Sequence, residues 1–128
     1  MNLLRKTILP VLLAAIWISF SEFLRNQFLL NVLWTEHYKA MGLVFPAAPV
    51  NGAVWGLWSL LFAVVILILS RKFSLMETTF ISWLTGFVLM WIVTGNLGVL
   101  PYGILVYAIP LSLLESFVAA WIIRILTR

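Results

Sequence analysis

Apolar residues fill nearly every position over about 7–30, 52–70, 75–96 and 104–126, and polar residues collect in the gaps between these runs. Each run comes close to the roughly 20 apolar residues with which a helix crosses a hydrocarbon core of about 30 Å. The pattern predicts an all-α polytopic membrane protein: one domain of 128 residues folded as a four-transmembrane-helix bundle.

The gaps are informative too. Neither Gly nor Pro occurs from Val11 to Met41, so the first helix is expected either to run on for about 46 Å or to bend near Asn31. After a bend, Leu33, Trp34, His37, Tyr38 and Met41 share one face while Glu36 and Lys39 lie off it, as in a short interfacial helix on the outer leaflet. Gly42 is expected to cap that helix, Pro46 and Pro49 to extend the chain, and Asn51 to serve as N-cap of the second span. Ser74-Leu75-Met76-Glu77 has the form of a capping box opening the third span. Gly95-Asn96-Leu97-Gly98 and Pro101-Tyr102-Gly103 turn the chain into the fourth.

Composition agrees with this architecture. With 64% hydrophobic and 9% charged residues, a soluble domain of this size would have too little polar surface to meet water. The net charge of +4 matters through its placement. Arg5, Lys6, Arg71, Lys72, Arg124 and Arg128 fall on one side of the predicted bundle, and only Arg25 and Lys39 on the other. The positive-inside rule therefore puts both termini and the middle loop in the cytoplasm, the chain being a multi-pass protein of the inner (plasma) membrane. Such a bias disfavours dual topology, so any homo-oligomer is expected to be parallel. Arg5-Lys6 ahead of apolar residues, with Ser19-Phe20-Ser21 beyond, also has the form of a cleavable signal peptide. The run stays apolar past Ser21, which favours a retained helix.

Small residues predict where the helices touch, because backbones in lipid approach through them. Gly52 and Gly56 have GxxxG spacing in the second span. Ala108, Ser112, Ser116 and Ala120 form a seam on the fourth, and Ala15, Ser19, Ser82 and Gly86 supply the others. Trp34, Trp55 and Trp58 toward the outer end and Trp121 toward the inner end read as an aromatic belt, with Trp83 and Trp91 deeper.

Much catalytic chemistry is excluded. There is no Cys and no Asp, and His37 is the only His, so thiol catalysis, paired-Asp hydrolysis and His-rich metal chemistry have no residues to act with. No phosphate-binding Gly-rich loop or nucleic-acid motif is present. A non-enzyme without metal or cofactor is expected, whose partners are the bilayer and either a small-molecule ligand or another membrane protein.

Charges inside the spans are the exception to their apolar character. Glu115 lies about 16 Å along the fourth span, near mid-bilayer, where a carboxylate is expected to hold a proton unless a cation or several donors stabilise its ionised form. Ser112 shares its face, and Pro110 frees the Val106 carbonyl nearby. In the first span, Glu22 is spaced to pair with Arg25, with Asn26 beside them, although Arg25 is also long enough to snorkel to the headgroups. With Asn96 and the outer-half groups Asn51, Thr94 and Tyr102, these residues are the candidate ligand-binding or proton-linked set: Glu115, Glu22, Arg25, Asn26, Asn96 and Ser112.

The four-span layout, with His37-Tyr38-Lys39-Ala40-Met41-Gly42 after the first span, resembles small four-helix bacterial membrane proteins of the domain-of-unknown-function kind, a resemblance that brings no activity with it. Small multidrug-resistance exporters share the helix number and a Glu in the first helix, but Glu22 lies nearer the outer end. The fluoride-channel family shares the size without its third-helix motif. No residues are carried over from either. Two functions remain. One is a small-solute or proton-linked binding and transport protein with an outward-facing polar cavity lined by Glu22, Arg25, Asn96 and Glu115. The other is a non-catalytic accessory subunit or assembly factor, expected to be a closed bundle.

Overall fold

A computed structural model describes residues 2–128. Helix α1 spans Leu4–Leu29, α3 Pro49–Ser70, α4 Leu75–Asn96 and α5 Tyr102–Thr127, all four long and apolar enough to cross a membrane. The short α2, Asn31–Ala40, joins α1 to α3. No strand occurs among the described residues. Large apolar side chains such as Ile16, Phe20, Leu57, Leu61 and Ile92 point out of the bundle, an exterior suited to lipid rather than to water.

One end of the bundle is basic. Lys6 Nζ donates to the carbonyls of Thr127 and Arg128 (2.8 and 2.7 Å), offsetting the negative end of α5. Arg71 reaches Thr7 Oγ1 (3.3 Å), and Arg124 donates to the Phe73 carbonyl (3.1 Å). The Ser74–Glu77 capping box forms as its spacing predicts, with Glu77 N–H on Ser74 Oγ and Ser74 N–H on Glu77 Oε1, both at 3.2 Å.

The opposite end is aromatic. The chain bends at Leu30 (φ −108°, ψ 6°), and α2 folds back across the bundle. Trp34, His37 and Tyr38 turn inward as their shared face requires, while Leu33 and Met41 remain exposed. Gly42, at φ 75°, ends α2: the Leu43 amide bonds the Tyr38 carbonyl (2.9 Å) and the Gly42 amide that of Lys39 (3.0 Å), a paired arrangement that needs a left-handed residue. Asn51 is not the N-cap of α3. Pro49 occupies the first turn, where its missing N–H costs nothing, and Asn51 Oδ1 reaches back to the Ala48 amide (3.0 Å).

The core lies toward the basic half, where Ala14, Ile18, Ala63, Ile66, Phe87, Ala119 and Ile123 are fully buried. The seam on α5 packs as expected, with Ala108, Ser112, Ser116 and Ala120 at most 2% exposed. The Gly52–Gly56 pair does not: a Cβ built at either glycine meets nothing within 4 Å, and these glycines border a cleft instead. Gly86 is the tight contact. A Cβ there would fall 2.6 Å from Phe62 Cε1, on a ring held between Trp58 (4.9 Å) and Phe87 (5.6 Å). Gly86→Ala is expected to cost about 1–3 kcal/mol by overpacking, as read by thermal unfolding in detergent. Gly52→Ala, in open space within α3, should leave the melting temperature unchanged or slightly raised, since Ala favours helix over Gly.

Candidate functional site

Three charged side chains from two helices meet where the tight core gives way to the aromatic end. Glu22 and Arg25 sit on adjacent turns of α1, and Arg25 Nη2 lies 2.6 Å from Glu22 Oε1. The other arm of the guanidinium reaches across to α5, with Nη1 3.5 Å from Glu115 Oε1. All are buried, with relative exposures of 4%, 5% and 0% for Glu22, Arg25 and Glu115, so Arg25 does not snorkel outward. Asn26 completes the support of Glu22, its Nδ2 donating to Oε2 (2.9 Å) and to the backbone carbonyl (3.2 Å). Trp34 of α2 in turn donates to Asn26 Oδ1 (3.1 Å), which fastens the overlying helix to the charge cluster.

Local backbone geometry helps to set this arrangement. Leu24–Leu29, which carries Arg25 and Asn26, is wound as π-helix, and the Leu30 amide bonds the Arg25 carbonyl five residues back (2.8 Å). The guanidinium rests 5.3 Å from the centre of the Phe87 ring, and Phe87 also lies in a π-helical segment, Leu84–Val88. Widened turns thus hold both partners of this cation–π contact, and such turns concentrate at functional sites.

The cluster is unevenly satisfied. Both oxygens of Glu22 have donors, whereas Glu115 has the long contact at Oε1 and no partner at Oε2, with the side chains of Ser21 and Glu22 close beside its carboxyl group. It contains two carboxylates and one guanidinium, so with every group ionised a single negative charge remains in a buried place. Ion burial is costly, and that excess has to be met by a proton or by a bound cation.

Over the Glu22–Arg25 pair lies a chamber of about 320 Å³, within the range typical of small-molecule sites. Aromatic rings make much of its wall: Trp34, Tyr38 and Phe45 from α2 and the segment after it, Trp55 from α3 and Trp91 from α4. Trp34 stacks on Phe45 (5.5 Å) and Tyr38 meets Phe45 edge-on (5.2 Å). His37 Nε2, 2.9 Å from the Gly98 carbonyl, ties α2 to the α4–α5 turn. A second hollow of about 410 Å³ runs between α1 and α3 past Ser19, Phe23, Gly52 and Gly56, and shares Glu22, Asn26, Gln27, Asn51 and Trp55 with the chamber.

The expected cavity lining needs correcting at two positions. Asn96 is exposed and off the wall, because Met90, Trp91 and Thr94 turn inward and Asn96 follows Thr94 by about 200° around the helix. Glu115 is not on the chamber wall either, since the Arg25 guanidinium stands against it on the bundle side. Ser112 has a packing role: its Oγ accepts from Trp83 Nε1 (2.9 Å) and donates to the Ile109 carbonyl (3.1 Å). Pro110 and Val106 lie on the exposed side of α5, with Pro110 about 140° around from Glu115, so the broken backbone is not part of the site. Tyr102 also points away and donates to the Gly95 carbonyl (2.9 Å).

Several contributors were missed from sequence. Trp17 Nε1 donates to the Glu115 backbone carbonyl (3.0 Å), and Phe87, Gln27 and Phe45 shape the cluster or chamber. The signal available for Trp17 was its i, i+4, i+8 spacing with Ser21 and Arg25, which aligns the three on one face. Compared with protein-family models, curated proteins and solved structures, the chain matches none.

Proposed function

We propose that this chain is an integral membrane protein that binds and moves a small organic cation with an apolar body, exchanging it against a proton held by the Glu22–Arg25–Glu115 cluster. The observation that carries the reading is the single uncompensated carboxylate beneath an aromatic-walled chamber. Ring faces are negative and attract cations, most strongly where water is excluded. The only guanidinium at the chamber is already shared by two acids, which leaves little attraction for an anion. The apolar share of the wall supplies burial for the rest of the ligand.

A charge-transfer sequence follows from the geometry. With the chamber empty, Arg25 is held close to Glu22, and the proton sits on Glu115. A cation settling beside Glu22 competes for that carboxylate, the guanidinium shifts toward Glu115, and Glu115 gives up its proton. The cluster passes from neutral to a single negative charge as the proton leaves, and the bound cation balances that charge, so the total charge of cluster and ligand stays constant. An accessory subunit needs no chamber, and the two adjoining hollows favour the ligand-binding reading.

We further read the basic end as cytoplasmic, with both termini on that side of a plasma membrane, because burial of Arg25 leaves Lys39 as the one exposed Lys or Arg at the aromatic end among the described residues. The chamber then opens away from the cytoplasm, and copies that associate do so in parallel.

Tryptophan fluorescence tests the binding reading, since Trp34, Trp55 and Trp91 lie in the chamber wall. Benzyltrimethylammonium should quench purified protein in detergent, whereas its uncharged isostere neopentylbenzene should bind at least about tenfold more weakly. Trp91→Leu should weaken the cation by about tenfold. Equal affinity for the two probes would remove the charge argument.

A further inference from the structure

Among the described residues, three buried side-chain oxygens lack any partner: Glu115 Oε2, Ser116 Oγ and Thr78 Oγ1. Ser116 directly follows Glu115 on α5, and Thr78 belongs to α4, which Trp83 joins to Ser112 of α5. The Trp83–Ser112 bond fixes the antiparallel register, and one turn further toward the basic end brings Thr79 level with Ser116, with Thr78 just beyond. Thr78, Thr79, Ser82, Ser112 and Ser116 are all at most 3% exposed. Thr79 and Ser82 donate to carbonyls of their own helix (2.8 and 3.1 Å), which leaves their lone pairs free to accept. Hydroxyls therefore extend from Glu115 to within one turn of the Ser74–Glu77 cap, where Arg124 holds the Phe73 carbonyl.

Serine and threonine are common at helix contacts in lipid, but their hydroxyls there normally bond a backbone carbonyl. Ser116 and Thr78 do not. Buried polar atoms without a protein partner are the usual locations of internal water, and two such hydroxyls near the unpartnered oxygen of a buried carboxyl group point to hydration rather than to an isolated defect.

We propose that water bonds Ser116 Oγ and Thr78 Oγ1, and that a file of hydroxyls and water carries protons between Glu115 and the basic end of the bundle. Each hydroxyl or water accepts one proton and releases another, so no charge is left behind and only the Glu115 carboxyl gains or loses a proton. The idea rests on the reading of Glu115 as proton-holding. It adds direction: protons come and go at the basic end, and the ligand at the aromatic end.

Infrared spectroscopy of proteoliposomes after a pH jump tests this. The carboxylic-acid carbonyl band that Glu115→Gln removes is the readout. Thr78→Val and Ser116→Ala should each slow its appearance by at least about tenfold, with the melting temperature retained, and Thr78→Ser and Ser116→Thr should restore the rate. Unchanged rates in Thr78→Val and Ser116→Ala, or no band that Glu115→Gln removes, would overturn the path. A structure of the unaltered protein that resolves water is the second check. Ordered water on Ser116 Oγ and Thr78 Oγ1 is expected, and a dry seam would overturn the proposal whatever the variants do. If the band responds as expected but benzyltrimethylammonium never binds, the path stands and the cation reading falls.

Discussion

Replacing Arg25 by Leu should destabilise the protein more than any other single substitution at the site. The change leaves Glu22 and Glu115 buried with no opposing charge, and breaking a buried ion pair from one side costs about 3–5 kcal/mol. Packing against Phe87 is lost as well. Thermal unfolding in detergent is the direct measurement, with a melting temperature far below that of the unaltered protein or no folded material at all. Removing both acids should reverse most of the loss, because the triple variant Arg25→Leu, Glu22→Gln, Glu115→Gln contains no buried charge. Apolar or neutral replacements of a whole buried cluster are often tolerated where removal of one partner is not. If Arg25→Leu melts close to the unaltered protein, the three side chains are not the coupled unit described here.

Glu115→Gln should behave in the opposite way: nearly neutral for folding and large for linkage. Gln fills the same space, removes the uncompensated charge and still offers an acceptor to Arg25. Cation binding to the unaltered protein should weaken as pH falls, since proton and cation meet the same excess charge, by about tenfold per pH unit where one proton is exchanged. In Glu115→Gln there is no proton to exchange, so affinity should be low, about that of the protonated protein, and flat with pH. Glu22→Gln differs in kind, because it removes the carboxylate on the chamber wall and leaves Arg25 to pair with Glu115. It should abolish cation binding.

The four spans were legible because lipid imposes one rule on every stretch that crosses it, and 20 or so uncharged residues satisfy that rule in few ways. The pairing of Glu22 with Arg25 was legible for a local reason, one helical turn. The contact between Arg25 and Glu115 was not, because residues 90 positions apart meet only after α1 and α5 pack, and helix phase sets which faces touch. Asn96 shows the same limit from the other side: belonging to the polar end of α4 did not fix the face on which it lies. Gly52 and Gly56 misled for a related reason. GxxxG allows close approach, but α3 makes its close contacts nearer the basic end, and the glycines border a hollow. The chamber was out of reach because Phe45 and Trp34 close it from a connection whose path depends on the bend at Leu30.

The claim on which the rest depends is that one proton and one organic cation compete for the charge that Arg25 cannot cancel. Calorimetric titration of the purified protein with benzyltrimethylammonium, repeated in buffers of different ionisation heat, counts the protons exchanged on binding. The account predicts saturable binding with proton release from the unaltered protein, and none from Glu115→Gln. Binding with no proton exchange in the unaltered protein, or no binding at any pH, would contradict it.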